Sequence, residues 1–310
     1  MSRIFDALQR SGTEQSGIEY PDMVAVATEV LEAPQEISIA VADPAAEVSN
    51  FAIPTELAES LTQASEAARA AFPTLQVSLP RSSRLVVLTE PDSLAAEKFR
   101  FLGVRLRQMQ RKRPLKKVLV TSSIPQEGKS LVSANLSAVL AGRKQKVLLL
   151  EGDVRRPVQA QQLGLPGLAG LAEWLHSGAQ TVSNIYRLDG PGFWFMPAGN
   201  SPVNPLELLQ SGRVSQLMNQ ISTLFDWIIV DSPPLLPLAD TTVWARFTDG
   251  SLLVTRQGIT EKGPLLRGLE ILQKSDLLGV VLNGRIDLDS KNYYQRYYGV
   301  QKHKPSQAND

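Results

Sequence analysis

The sequence has no cysteine and only two histidines, His176 and His303, among its 310 residues. The missing thiols exclude disulfides, cysteine nucleophiles and cysteine-ligated zinc. Two histidines far apart in the chain argue against a histidine metal cluster and against a histidine-based catalytic triad. Any catalysis therefore depends on carboxylates, lysine, serine or backbone amides.

Long hydrophobic runs are also missing. The longest charge-free stretches, residues 157–172 and 190–206, are interrupted by prolines and glycines, so neither resembles the ~20 apolar residues of a membrane helix. The first residues of the chain lack the apolar region of a secretory signal. We therefore expect the protein to be cytoplasmic.

The net charge of +1 conceals two oppositely charged parts. Residues 1–80 have twelve acidic and three basic side chains, a net charge of −9, whereas residues 81–310 have nineteen acidic and twenty-nine basic ones, a net charge of +10. The first part has little hydrophobic periodicity, and such a composition rarely buries enough apolar area to offset chain entropy. This composition predicts an acidic flexible linker over 13–85. At the start of the chain, Ile4, Phe5 and Leu8 could share one face of a short amphipathic helix over residues 1–12. An ordinary frayed terminus explains residues 1–12 equally well.

A helical pattern begins near residue 92. Asp92 or Ser93 can cap a helix that ends before Pro114, and its apolar residues recur at three- and four-residue spacing. The end of this helix is strongly basic, which suits nucleic acid or anionic lipid but is also favourable against the helix dipole. We favour the second explanation.

Short β-branched or leucine-rich runs then alternate with helical patterns, as expected of parallel strands covered on both faces. The runs are residues 118–121, 147–150, 193–196, 227–230, 252–255 and 280–282. They predict an α/β fold with a mostly parallel sheet and helices on both faces. Such sheets bind ligands beyond the carboxyl ends of their strands.

A phosphate-binding loop follows the first of these strands. Residues 122–130 read SSIPQEGKS, so Gly128, Lys129 and Ser130 match the end of the P-loop pattern, while Ser123 replaces its leading glycine. Loop amides and the helix N-terminus would hold phosphate oxygens, Lys129 would neutralise phosphate charge, and Ser130 would ligate Mg²⁺.

Acidic residues follow two further strands. Glu151 and Asp153 come after the second run with Arg155 and Arg156, and Asp231 ends the fourth run, where a Walker B acid would hold magnesium. A single acid at a strand end is usually a turn former or a helix cap. The phosphate loop and two acid-bearing strand ends, in this chain order, predict binding of a nucleotide with Mg²⁺.

These motifs resemble those of the bacterial tyrosine kinases of capsule and exopolysaccharide synthesis, which are similar to the MinD and ParA group of P-loop ATPases. The resemblance rests on residues 121–130, 148–157 and 228–234, extends to 197–199 and 204–209, and covers about residues 90–300. It implies a P-loop NTPase-like kinase domain over 86–287. The residues implied to be catalytic are Lys129, Glu151, Asp153 and Asp231. The residues implied to hold magnesium are Ser130, Asp153 and Asp231. The residues expected to bind the nucleotide are Glu127, Gly128, Lys129, Ser130, Leu131, Asn283 and Arg285. For Asn283 and Arg285, capping of the last strand is an equally good explanation.

Two positions depart from the family pattern. Glu151 stands where the family has aspartate, and its additional methylene can displace the carboxylate by about an ångström, a misplacement that can cost roughly 10²-fold in rate. Gly103 stands where the helix used in self-assembly has its second arginine, although Glu97 and Arg100 match. Ring-like assembly is therefore less strongly indicated than nucleotide binding.

The C-terminal tail, residues 288–310, holds four of the six tyrosines: Tyr293, Tyr294, Tyr297 and Tyr298. A helical aromatic stripe packed on a neighbour is one explanation. The polar flanks instead favour a solvated tail, and the resemblance implies that these tyrosines are autophosphorylation sites.

The sequence thus favours an ATP-dependent protein-tyrosine autokinase that regulates exopolysaccharide or capsule polymerisation or export. The expected partners are a membrane-embedded co-polymerase or activator subunit, which would bring the protein to the inner face of the plasma membrane, other copies of the chain phosphorylated in trans, and protein substrates of polysaccharide synthesis. Nucleic acid is not expected as a partner. The alternatives are a MinD- or ParA-like positioning ATPase on membrane or DNA, and a nucleotide-binding scaffold without turnover.

Overall fold

Residues 55–80, 83–142, 144–165, 167–200, 202–272 and 276–284 are described by a computed structural model of the chain. The helix expected over residues 1–12, residue Arg285 and the tyrosine-rich tail lie outside these residues. The description therefore covers nearly all of the predicted kinase domain and part of the segment before it.

The described strands form one eight-stranded sheet in the order β1-β4-β5-β3-β6-β2-β7-β8. Six strands run parallel, while β4 is antiparallel to β5 and β1 runs parallel to β4. The strands are β1 Thr74–Gln76, β2 Lys117–Ser122, β3 Val147–Glu151, β4 Tyr186–Asp189, β5 Trp194–Met196, β6 Trp227–Asp231, β7 Gly250–Arg256 and β8 Leu277–Asn283.

Helices cover both faces of the sheet. They are α1 Thr55–Ala70, α2 Val86–Thr89, α3 Leu94–Gln110, α4 Lys129–Ala141, α5 Gln159–Gln162, α6 Leu171–Ser177, α7 Pro205–Gln210, α8 Arg213–Leu224, α9 Asp240–Ala245 and α10 Lys262–Leu272. Alternate residues of β3 and β6 enter two different hydrophobic clusters, one packed with α6 to α9 and the other with α3 and α4. Within the described residues, no helix combines the length and apolar composition that crossing a bilayer requires.

The predicted strands and the mostly parallel fold are confirmed. Each of the six apolar runs is a strand, and β3 and β6 are buried along their whole length, because a strand covered on both faces needs apolar side chains at successive positions. Ser93 caps α3 by accepting a hydrogen bond from the Ala96 amide. The short strands β1 and β4 at one side of the sheet were not predicted, because three- and four-residue strands with exposed positions have no distinctive pattern.

The prediction of a flexible linker over 13–85 is wrong for residues 55–80. Helix α1 and strand β1 belong to the same folded unit as the sheet, which begins at Thr55. The Arg69 guanidinium donates a 2.6 Å hydrogen bond to the Leu224 carbonyl oxygen of α8, and Phe72 is buried in the first hydrophobic cluster. The low apolar content of residues 1–80 wrongly predicted a linker here. A few well-placed apolar residues are enough to hold a segment against the surface of a folded domain.

Helices α3 and α4 approach closely at Gly103. A Cβ atom at this position would lie 2.5 Å from Val139 Cγ1, which is closer than two carbon atoms can pack without movement. The glycine in place of the family's arginine thus faces the interface between the two helices. Glu97 and Arg100, the matching residues, form a half-exposed 2.8 Å ion pair.

Candidate active site

The three motif-bearing strand ends are adjacent in the sheet. Strand β6 lies between β3 and β2, and Glu151 pairs in register with Asp231. Since all three strands are parallel, their carboxyl ends meet at one edge. The phosphate loop and the acidic residues predicted from sequence therefore face one another across a few ångströms.

The phosphate loop has the backbone needed for close approach. Gly128 has φ = 95° and precedes the first residue of α4, and a Cβ atom there would lie 2.1 Å from the Asn283 amide nitrogen. Only glycine combines this left-handed conformation with such a close contact. Gln126 also has a positive φ, 68°, which is uncommon for a residue with a side chain.

Lys129 lies between the two aspartates. Its Nζ atom is 3.2 Å from Asp153 Oδ2 and 4.0 Å from Asp231 Oδ1, and 3.3 Å from the Ser130 hydroxyl oxygen. Burial by itself would lower the pKa of Lys129, but the charges of Asp231 and Asp153 outweigh burial and raise it. The lysine is a cation held at the mouth of the loop by carboxylates.

Asp231 is fully buried, and both of its oxygens accept hydrogen bonds. Oδ1 accepts from the Ser133 hydroxyl at 3.3 Å, and Oδ2 accepts from the Gln159 side-chain amide at 2.9 Å. Burial raises the pKa of Asp231, while Lys129 and hydrogen bonds from Ser130 and Gln159 oppose this rise. The carboxylate is thus a buried acid whose charge depends on its immediate neighbours.

Glu151 is engaged by the backbone. Its Oε1 atom accepts hydrogen bonds of 2.6 Å from the amides of Val158 and Gln159, and Oε2 accepts one of 3.1 Å from the Ala198 amide. Burial raises its pKa to about 7, despite these hydrogen bonds. The longer glutamate side chain ties the loop after β3 to the loop after β5. The geometry therefore gives Glu151 a structural task that the sequence did not indicate.

Asp153 is the carboxylate beside the lysine. Oδ2 faces Lys129, and Oδ1 accepts a 3.1 Å hydrogen bond from the Arg156 amide. The neighbouring Arg155 makes a two-point ion pair with the buried carboxylate of Asp240, with distances of 2.7 and 3.1 Å. The loop that follows β3 is therefore held in place on both sides of Asp153.

Glu127 and Asn283 stabilise the phosphate loop through hydrogen bonds. The buried carboxylate of Glu127 accepts hydrogen bonds from the Ile124 amide and the Thr260 hydroxyl, and the Asn283 amide donates to the Glu127 carbonyl oxygen at 2.9 Å. Asn283 thus contacts the loop itself. Leu131 lies in the first turn of α4, where it is half-buried.

Sequence reasoning missed three contributors to this site: Ser133, Gln159 and Thr260. Ser133 lies one helical turn after Lys129, so its side chain faces the same direction, and this spacing was a usable signal. Gln159, at the start of α5, and Thr260, in the loop after β7, reach the site along a path that only the folded chain defines.

The donors fit a magnesium-bound nucleotide. Among the residues that the structure describes, no three His, Cys, Asp or Glu side chains form a metal cage of their own. Mg²⁺ usually keeps several waters and takes one or two carboxylates together with substrate phosphates. The Ser130 hydroxyl and the carboxylates of Asp153 and Asp231, around a loop that presents backbone amides, match that preference.

Comparison with known proteins agrees with this geometry. No protein-family model matches the chain. It is 34% identical over 226 residues to the tyrosine-protein kinase YwqD of Bacillus subtilis (strain 168), covering 71% of this chain and 94% of that protein. It is 30% identical over 219 residues to the putative tyrosine-protein kinase CapB of Staphylococcus aureus, covering 70% and 96%. The kinase domain of the Escherichia coli tyrosine kinase ETK has a similar structure, with a TM-score of 0.63, 30% identity and coverage of 66% of this chain and 81% of that chain. The chain belongs to the bacterial tyrosine-protein kinase family.

Proposed function

We propose that the protein is an ATP-dependent autokinase that transfers the γ-phosphoryl group of ATP to tyrosines of its own C-terminal tail. The observation that carries the proposal is the position of Lys129, at the end of the phosphate loop, where its Nζ atom lies 3.2 Å from Asp153 Oδ2 and 4.0 Å from Asp231 Oδ1. A lysine between two carboxylates at a P-loop is suited to exchange its carboxylate contacts for phosphate oxygens.

ATP and Mg²⁺ are the cofactors that this site would take. The amides of the phosphate loop and the N-terminus of α4 would bind phosphate oxygens, and Ser130, Asp153 and Asp231 would hold the metal. Bound magnesium neutralises charge on the phosphates during transfer. The remaining steps depend on the side chains of the protein.

Asp153 is the favoured proton acceptor. A free tyrosine phenol has a pKa near 10, so it arrives neutral and must lose its proton during transfer. Both oxygens of Glu151 accept hydrogen bonds from backbone amides, whereas the Asp153 carboxylate lies 3.2 Å from Lys129 Nζ. This geometry favours Asp153 over Glu151, which the sequence left as equal candidates.

The tail tyrosines Tyr293, Tyr294, Tyr297 and Tyr298 are the proposed acceptors. Tyr293 is ten positions after Asn283, which ends β8, and an extended chain of that length reaches up to about 34 Å. Transfer to the tail of another copy fits this reach as well as transfer within one chain.

We assign the kinase to the regulation of exopolysaccharide or capsule polymerisation or export, with a membrane-embedded activator subunit as its partner. The support is the resemblance to the kinases of these pathways and membership of the tyrosine-kinase family. Attachment to that partner would bring the protein to the inner face of the plasma membrane.

The decisive experiment is incubation of the purified protein with Mg²⁺ and ATP, followed by detection of phosphotyrosine. We expect phosphate on the tail, none with Lys129→Met, and none on a variant with all four tail tyrosines changed to phenylalanine. Because an absent activator would mimic inactivity, the assay is repeated with the partner's cytoplasmic segment added. ATP hydrolysis without phosphotyrosine under both conditions would contradict the proposal and favour a positioning ATPase.

A further inference from the structure

Gln159 joins the parts of the site, although no motif contains it. It is the first residue of α5, and its side chain is completely buried. The side-chain Nε2 atom lies 2.9 Å from Asp231 Oδ2 and 2.8 Å from the carbonyl oxygen of Ser130. Its backbone amide donates to Glu151 Oε1 at 2.6 Å. One residue thus contacts the ends of β3 and β6 and the first turn of α4.

The orientation of the Gln159 amide is determined by its neighbours. Both groups that Nε2 meets, a carboxylate and a carbonyl, accept hydrogen bonds only. Rotating the amide by half a turn would place Oε1 against two acceptors, so the NH₂ group must face them. Oε1 has no partner among the described residues, which leaves the two donated bonds to set the orientation.

These hydrogen bonds give the two carboxylate oxygens of Asp231 different roles. Oδ2 is occupied by Gln159, whereas Oδ1 faces the Ser133 hydroxyl and, at 4.0 Å, Lys129 Nζ. A buried carboxylate without such a donor would be free to rotate or would lie unsatisfied, at a cost of about 1–3 kcal/mol. The amide therefore decides which oxygen meets the phosphate loop.

We infer that Gln159 is a positioning residue that fixes the Asp231 carboxylate and the first turn of α4 relative to each other, so that Asp231 Oδ1 faces the magnesium-nucleotide position. The inference rests on the proposed function, because it concerns the metal site of that reaction. In this inference Gln159 acts through its contacts with Asp231 and Ser130.

The test compares Gln159→Met with Gln161→Met in the full-length chain. Methionine has nearly the shape of glutamine but donates no hydrogen bond, and Gln161 is an exposed glutamine of the same short helix. Binding of a fluorescent ATP analogue is measured across a Mg²⁺ titration and again in EDTA. Thermal unfolding of each protein is recorded without metal.

Loss of groups that orient metal ligands typically costs 10- to 100-fold in metal affinity. We therefore expect Gln159→Met to raise the half-saturating Mg²⁺ concentration by about that factor, to leave nucleotide binding in EDTA nearly unchanged, and to be rescued by excess Mg²⁺. Gln161→Met should match the wild type in every measurement.

A lower melting temperature with an unchanged Mg²⁺ midpoint would overturn the inference, since it would show a structural role only. If Gln159→Met does not fold, Gln159→Asn replaces it, because a side chain shorter by one methylene keeps the amide but cannot span both acceptors; an unchanged midpoint would again overturn the inference. Failure of the proposed function is separate: wild-type protein would then bind Mg²⁺ and ATP normally yet form no phosphotyrosine with or without its activator.

Discussion

At the scale of single residues, Glu151 and Asp153 show how two neighbouring acids acquire different tasks. The Glu151 carboxylate accepts hydrogen bonds from three backbone amides. The Asp153 carboxylate lies beside Lys129 and accepts a hydrogen bond from one backbone amide. Three backbone amides hold the Glu151 carboxylate against the loops after β3 and β5 and leave it fewer free lone pairs for a substrate proton. The two acids should therefore respond differently to amide substitution.

We expect Asp153→Asn to lower the rate of phosphotransfer per folded molecule by about 10²- to 10⁴-fold, the usual contribution of a general base. Glu151→Gln should instead destabilise the fold by about 1–3 kcal/mol, because its NH₂ group would oppose a backbone N–H that becomes unsatisfied. Phosphotyrosine formation at saturating Mg²⁺ and ATP, together with urea unfolding, separates the two effects. A Glu151→Gln enzyme as inactive as Asp153→Asn but fully stable would reverse the assignment.

Gln126 holds a strained backbone conformation in the phosphate loop. Its φ of 68° lies in the left-handed region, which costs a residue with a side chain about 1–2 kcal/mol. Glycine avoids this cost but loses more entropy on folding, about 0.5–1 kcal/mol. We expect Gln126→Gly to stabilise the protein by about 0.5–1 kcal/mol in urea unfolding.

Two control variants test whether that gain comes from the backbone. Gln126→Ala keeps the strain and should show no gain. Lys144→Gly, at the other described non-glycine residue with positive φ, 60°, should show a similar gain far from the phosphate loop. A gain from Gln126→Ala as large as that from glycine would attribute the effect to the side chain.

At the scale of elements, helices α3 and α4 are held close by a single small residue. Gly103 leaves no room for a Cβ atom beside Val139, and the surrounding α3 carries the half-exposed pair Glu97 and Arg100. The close contact sets how α3 lies on the nucleotide-binding helix. Substitutions at the two positions should consequently depend on each other.

We expect Gly103→Ala to destabilise the wild-type protein by about 1–2 kcal/mol, because overpacking costs about 1–3 kcal/mol and the better helix propensity of alanine recovers only part of that. In a Val139→Ala background the same change should be stabilising by about 0.5–1 kcal/mol, since the obstructing methyl group is gone. Urea unfolding of the four proteins gives the coupling energy. Equal effects in both backgrounds would show that the two helices adjust without strain.

At the scale of the whole molecule, the net charge of the tail should determine how strongly the acidic site attracts it. Residues 285–310 contain five basic and three acidic residues, and each phosphate adds about −1.5 to −2 charges near neutral pH. A few phosphates would reverse the sign of this segment. The site that the proposed phosphotransfer requires this segment to reach is lined by Asp153, Asp231 and Glu151.

Phosphorylation should therefore expel the tail from the acidic site and loosen any oligomer built on tail exchange. We expect analytical ultracentrifugation to give a smaller species for phosphorylated than for phosphatase-treated protein. The variant with four tail phenylalanines should stay in the larger form after incubation with Mg²⁺ and ATP. The same size in all three samples would contradict the switch.

Local sequence patterns predicted six of the eight described strands and proposed the phosphate loop and the acidic residues beside it. Buried parallel strands need continuous apolar runs, and a phosphate loop needs Gly128, Lys129 and Ser130 in fixed order, so both leave a local pattern. Only the folded chain shows that residues 55–80 belong to the same unit as the sheet, that Glu151 accepts hydrogen bonds from backbone amides and that the Gln159 side chain donates to Asp231. These outcomes depend on contacts between segments distant in the chain, such as Gln159 with Asp231 across 72 positions. No local pattern records them, because each partner acquires its task only when the other is folded against it.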